Sequence, residues 1–166
     1  MRGSSRPRER ELGDAPSTKW TSVSNLHHAP LAGVDPSTLY RIMALRVAVF
    51  VHEQKIVDEA ELDGVDLLPT TELFWIQDDH GEVLATLRVL VDDTVHIGRV
   101  ATAAAGRGRG YAGKLVEAAL TAYPGVVEIS AQAHLENWYG RFGFVRAGEN
   151  YLEAGIPHVK MLTHAG

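Results

Sequence analysis

The chain has 166 residues, of which 45% are hydrophobic and 22% charged. Those values suit one globular domain that buries about 70% of its unfolded surface, and they exclude a collagen-like or coiled-coil chain. No run approaches the ~18 apolar residues of a membrane span, and the absence of cysteine removes disulfides, thiolate metal sites and a cysteine nucleophile.

The formal charge is -5, yet the first ten residues carry Arg2, Arg6, Arg8 and Arg10 against Glu9. An acidic body behind a basic tail argues against general nucleic-acid binding and suits a cationic substrate such as an amine. Residues 1–18 show no apolar period and read as a disordered or vector-derived tail, with a single domain over 19–166. The polar start lacks the apolar core of a secretory leader, so a cytoplasmic location is expected.

Asp35-Pro36-Ser37-Thr38 predicts a helix start, with Asp35 as cap and Pro36 at the first helical position. The helix should run to about His52, with Leu39, Ile42, Met43, Val47 and Phe50 on one face. Residues 53–68 follow as an acidic loop or short helix. Three strands are predicted at 72–77, 83–91 and 94–102, joined by short turns and therefore an antiparallel meander. A glycine-rich loop leads to a helix over 111–123, stopped by Pro124-Gly125. A strand at 126–132 should lie parallel to its predecessor, because a helix separates them. A short helix at 135–141 and a closing hairpin of strands at 144–146 and 158–162 complete a mixed, mostly antiparallel α/β sheet flanked by helices.

The glycine loop carries the strongest chemical signal. In Arg107-Gly108-Arg109-Gly110-Tyr111-Ala112 a strand feeds a helix N-terminus, whose outward amides suit a phosphate or pyrophosphate. The stretch from Gly108 to Lys114 matches the spacing of a P-loop, but Leu115 stands where a magnesium-binding hydroxyl belongs. The stretch from Gly108 to Gly113 matches a dinucleotide fingerprint, with Glu128 as ribose acid, but follows an antiparallel meander and not a βαβ unit. No H-E-x-x-H pair occurs, so no catalytic metal is expected.

The same loop, read as R-x-x-G-x-A, resembles the [QR]-x-x-G-x-[GA] signature of the GNAT family of N-acetyltransferases. Gln132 to Phe144, with Asn137, Tyr139 and Gly143-Phe144, is similar to that family's later block. Arg46 to Gln54, Ala131 to Tyr139 and Gly155-Ile156-Pro157-His158 resemble its ElaA-like branch, although Ala154 stands where that branch leads one to expect an acid. The resemblance spans about Trp20 to Leu162. It implies a GNAT-like acyl-CoA N-acyltransferase fold and acetyl-CoA as the cofactor. Val100 and Thr102 would offer backbone groups to the pantetheine arm, the amides from Arg107 to Ala112 would cradle the pyrophosphate, and Asn137 would touch the arm from the far side. Tyr139 takes the family's place for the acid that protonates the leaving thiolate. His96 sits at a spacing where several members carry a general base, and its ordinary pKa near 6.5 suits that work. His134 and His158 are further candidates with structural roles as the simpler reading.

The activity expected is direct acetyl transfer to a primary amine of a small molecule or peptide, with Glu53, Glu61 and Asp63 of the acidic run as contacts for a cationic acceptor. Two alternatives stand beside it, a non-catalytic CoA-binding sensor and a dinucleotide-binding enzyme. No nucleic-acid or membrane partner is expected, and the oligomeric state, a homodimer included, is left open.

Overall fold

The computed structural model describes residues 25–164. The tail expected over 1–18, and the ends of the expected 19–166 domain, lie outside the described residues.

Strand β1 (Leu26–Pro30) leads through a single 3-10 turn into α1 (Pro36–Arg46). Asp35 caps α1, accepting a hydrogen bond from the Thr38 amide at 3.1 Å, and Pro36 opens it. Its amide would be unpaired in the first turn anyway, so the ring costs nothing there. Helical winding continues to Glu53, but over Val47–Glu53 the register widens. The Gln54 amide donates to Val49 O, five residues back, at 3.0 Å. Such π-type turns are frequent at functional sites, and this one delivers Glu53 and Gln54 to the face described below.

Strands β2 (Thr71–Gln77), β3 (Val83–Val91) and β4 (Val95–Thr102) form the expected meander, with β1 added antiparallel at the outer edge of β2. Helix α2 (Tyr111–Ala122) then crosses to β5 (Val127–Gln132), which pairs parallel to β4. After α3 (Glu136–Gly140) come β6 (Phe144–Arg146), β7 (Tyr151–Glu153) and β8 (Ile156–Thr163). The order is β1-β2-β3-β4-β5-β8-β6, with β7 also on β8. The expected closing pair is therefore more elaborate than a hairpin: β8 inserts between β5 and β6, and β7 folds back on its start.

Both sheet faces are covered, which explains the nearly unbroken apolar run of β2. Leu73 and Trp75 pack with Ile42, Leu45 and Val49 under α1. Phe74 and Ile76 point the other way, against Leu115, Val116 and Ala119 of α2. β1 was not legible in the sequence because Leu26-His27-His28-Ala29-Pro30 has no apolar alternation. Its histidines stack on the neighbouring strand instead, His27 on Trp75 and His28 on Phe74.

Candidate active site

The site begins where two strands part. β4 and β5 pair only through Val95–Val127, His96–Glu128 and Ile97–Ile129. Beyond that point β4 stays with β3 and β5 stays with β8, so the sheet opens into a wedge. Arg88 pairs with Gly98 but Thr86 pairs with Ala101, which leaves β4 one residue longer than β3 across the interval. Arg99 takes up the excess with φ of +52°. Such a bulge bends a strand and ends its pairing, here with β5.

Two cavities meet at the wedge. A cleft of about 560 Å³ is lined by Val100, Thr102, Arg107, Gly108, Gly110, Tyr111 and Ala112 of the expected cofactor set. A cavity of about 270 Å³ lies on the other side, among Glu59, Arg99, Ser130, Gln132, Glu153 and His158. Gln54, Val100, Leu135 and Tyr139 line both. Anything passed from one cavity to the other crosses this shared wall.

The cleft has the chemistry of an anion and extended-chain site. The backbone of β4 beyond Ile97 has no β5 partner, so an extended ligand can pair there as a strand would. Gly110 caps α2 without a side chain, so no cap occupies the first-turn amides. Gly108 and Gly110 hold φ of +77° and +74°, the left-handed region that favours glycine. Arg107 and Arg141 bring positive charge. These residues fit a pantetheine arm along β4 and a pyrophosphate at the loop.

Tyr139 is 7% exposed, and its burial pushes the phenol up to about 12. It is therefore protonated throughout the neutral range. Trp138 and Phe144 pack edge-on against its ring and fix its direction.

Several expected residues lie elsewhere. His96 sits at the closed end of the wedge, 3.8 Å from Glu128 and outside both cavities. Val100 is four residues further along, roughly 13 Å at 3.3 Å per strand residue, so His96 is out of reach of the junction. Asn137 is exposed on α3 and lines neither cavity, and exposed Arg109 lies outside the cleft lining. Asp63 is held by both Arg88 nitrogens at 2.8 and 2.9 Å. Glu61 does border the smaller cavity, but it accepts from Arg46 Nε at 2.7 Å and sits 3.0 Å from Arg99 Nε, off the line of a hydrogen bond. Both carboxylates are thus neutralised by arginines. Glu53 lines neither cavity and instead accepts from Nη2 of Arg107, a cleft residue, at 2.7 and 2.8 Å. Among the described residues, the carboxylate of the run at the smaller cavity that no arginine holds is Glu59, which the sequence did not single out. Gln54 and Gln132 were also missed. They hydrogen-bond each other across the wedge at 2.9 Å, a pairing between residues far apart in sequence that no local pattern reveals.

A sheet parted beside an uncapped glycine-loop helix, with an extended cleft on one side and a polar cavity on the other, defines the class of acyl-CoA N-acyltransferases. The profile of the acetyltransferase (GNAT) domain matches residues 46–164. The chain is 43% identical over 137 residues to the UPF0039 protein of Mycobacterium tuberculosis, covering 78% of this chain and 86% of that one. It is 38% identical to ElaA of Escherichia coli over 148 residues, 82% of this chain and 92% of ElaA. A crystal structure of an acyl-CoA N-acyltransferase from Pseudomonas aeruginosa superposes with a TM-score of 0.77 at 40% identity, covering 83% of this chain and 97% of that chain. The chain belongs to the GNAT acetyltransferase family, on the branch that includes ElaA.

Proposed function

We propose that this protein is an acetyl-CoA-dependent N-acetyltransferase acting on a primary amine of a small molecule or peptide. One observation carries the reading: the two cavities share a wall at Val100 and Tyr139, where the strands part. Bound acetyl-CoA would supply a thioester carbonyl at that junction. In the net reaction a primary ammonium and the thioester become an amide, a thiol and a released proton.

The chain's own residues have three tasks. The amides of residues 107–112, with Arg107 and Arg141, hold the pyrophosphate. The backbone of β4 beyond the bulge holds the arm and presents N–H groups to negative charge at the carbonyl, a type of contact worth a few kcal/mol. Tyr139 donates a hydrogen bond to the departing sulfur. The proton that completes the thiol passes from Tyr139 to the sulfur as the carbon–sulfur bond breaks, and the phenol is restored by the proton that the nitrogen loses as the amide forms.

Thiol release from acetyl-CoA in the presence of primary amines tests the reading. Turnover by the wild type with at least one amine supports it. Tight CoA binding with no turnover on any amine would replace it with the CoA-sensor alternative.

A further inference from the structure

Deprotonation of the acceptor is the step the expected base leaves unfilled. A lysine-like amine has a pKa of about 10.4, so roughly one molecule in 2,500 is neutral at pH 7. Resting on the acetyltransferase reading, we infer that His158, backed by Glu153, is the proton acceptor for the amine.

Position comes first. His158 pairs with Gln132 on one side and Tyr151 on the other, at the open end of the wedge. His96 pairs with Glu128 at the closed end. His158 is 7% exposed, and it borders the smaller cavity together with Tyr139.

The hydrogen bonds then fix the tautomer. His158 Nδ1 lies 2.7 Å from Ile156 O. A carbonyl oxygen only accepts, so Nδ1 carries the hydrogen and donates. In the neutral ring the lone pair is then on Nε2, which lies 3.3 Å from Glu153 Oε2. A lone pair facing a carboxylate is repulsive, and one proton between them turns the contact into a charge-assisted hydrogen bond. The pair is built to gain a proton.

The turn makes the pairing rigid. Ala154 and Gly155 have φ of +51° and +73°, the two-residue hairpin geometry that returns Glu153 over its partner strand. Ser130 of β5 hydrogen-bonds Tyr151 and reaches Glu153 at 3.4 Å, and the Tyr151 ring stacks on His158. Of the charged groups around the cavity, Glu61 and Arg99 offset each other. Glu59 and Glu153 remain to favour an imidazolium, while Tyr139 is neutral. The step is simple: an N–H bond of the ammonium breaks, an Nε2–H bond forms, and the nitrogen lone pair is freed for attack.

The test uses the full chain and two variants, His158→Asn and Glu153→Gln. Imidazole ¹⁵N NMR across pH 5–9 is expected to find the Nδ1–H tautomer of His158. Glu153→Gln should leave that tautomer in place and lower kcat at pH 7 by about tenfold. Thiol release is followed with putrescine, tyramine and lysine amide. His158→Asn retains a donor toward Ile156 O, and should lose at least about 100-fold in kcat at pH 7. Its rate should then climb nearly tenfold per pH unit with the neutral amine, while the wild-type rate rises less steeply over the same range. A structural role would lower the rate without changing the profile. An Nε2–H tautomer, an unchanged kcat in Glu153→Gln, or an unchanged pH profile in His158→Asn would overturn the inference. Absence of turnover with all three amines, with the NMR result as expected and CoA still bound, would instead count against the acetyltransferase reading.

Discussion

Two side chains at the wedge show how environment sets role. Tyr139 is buried among aromatics and its phenol stays protonated, so Tyr139→Phe removes a donor without opening a cavity. We expect kcat for thiol release to fall about 100-fold, with the Kd for CoA, measured by calorimetry, unchanged. Equal losses in both would place Tyr139 in binding. Glu53 is the opposite case. It is exposed, and it occupies the guanidinium of Arg107 that the pyrophosphate would use. An exposed pair is worth about 0–1 kcal/mol. Glu53→Ala should therefore tighten CoA binding, by up to about fivefold. Weaker binding would show that Glu53 orients Arg107 rather than competing for it. The sequence offered Glu53 as an acceptor contact because charge alone does not tell which partner a residue meets.

The elements at the site divide by whether their signal is local. The glycine loop and the helix after it were legible, since the need for positive φ and for an open helix end is written in adjacent residues. Gly110→Ala tests this directly. None of the described residues lies within 4 Å of an added Cβ there, and the φ of +74° resists the change. That strain is about 1–2 kcal/mol and should appear as roughly tenfold weaker CoA binding. Gly140 in α3 has open space around its Cβ and no positive φ, and Gly140→Ala should leave binding unchanged. The parting of β4 from β5 was not legible in the local pattern of either strand. Its physical cause, the bulge at Arg99, is a register difference against β3 and leaves no mark in the β4 sequence. The short β7 was illegible for a similar reason: Tyr151–Glu153 is exposed and exists by pairing with β8.

At the scale of the molecule, a buried ionic network fastens the acidic loop beneath the wedge. Arg46, at 1% exposure, binds Asp66 at 2.7 and 3.1 Å and Glu61 at 2.7 Å, while Arg88 joins Asp66 to Asp63. Arg46→Met removes the buried cation between two carboxylates and leaves Asp66 to Arg88 and Glu61 to Arg99 alone; it should cost about 3 kcal/mol, read as a fall in Tm of about 10 °C. Asp63 adds a pH dependence. Its hydrogen bonds from Arg88 hold its carboxyl well below the usual carboxylate range. A depressed value means that the contribution is complete above the unfolded pKa of about 3.9 and drains away as the pH falls below it. Urea midpoints should therefore drop more between pH 5 and pH 3 in the wild type than in Asp63→Asn, and equal drops would remove Asp63 from the account. The sequence shows these carboxylates only as an acidic run, because their arginines come from α1, β3 and β4.

The central claim is that the parted strands and the glycine loop form a site for acetyl-CoA, and thermal unfolding with acetyl-CoA, CoA, NAD and ATP in parallel tests it most directly. A ligand at a hundred times its Kd stabilises by about 2.7 kcal/mol, which is about 8 °C for a domain of this size. The account predicts that shift with acetyl-CoA and CoA and none with NAD or ATP. A shift with NAD or ATP alone, or with none of the four, would contradict it.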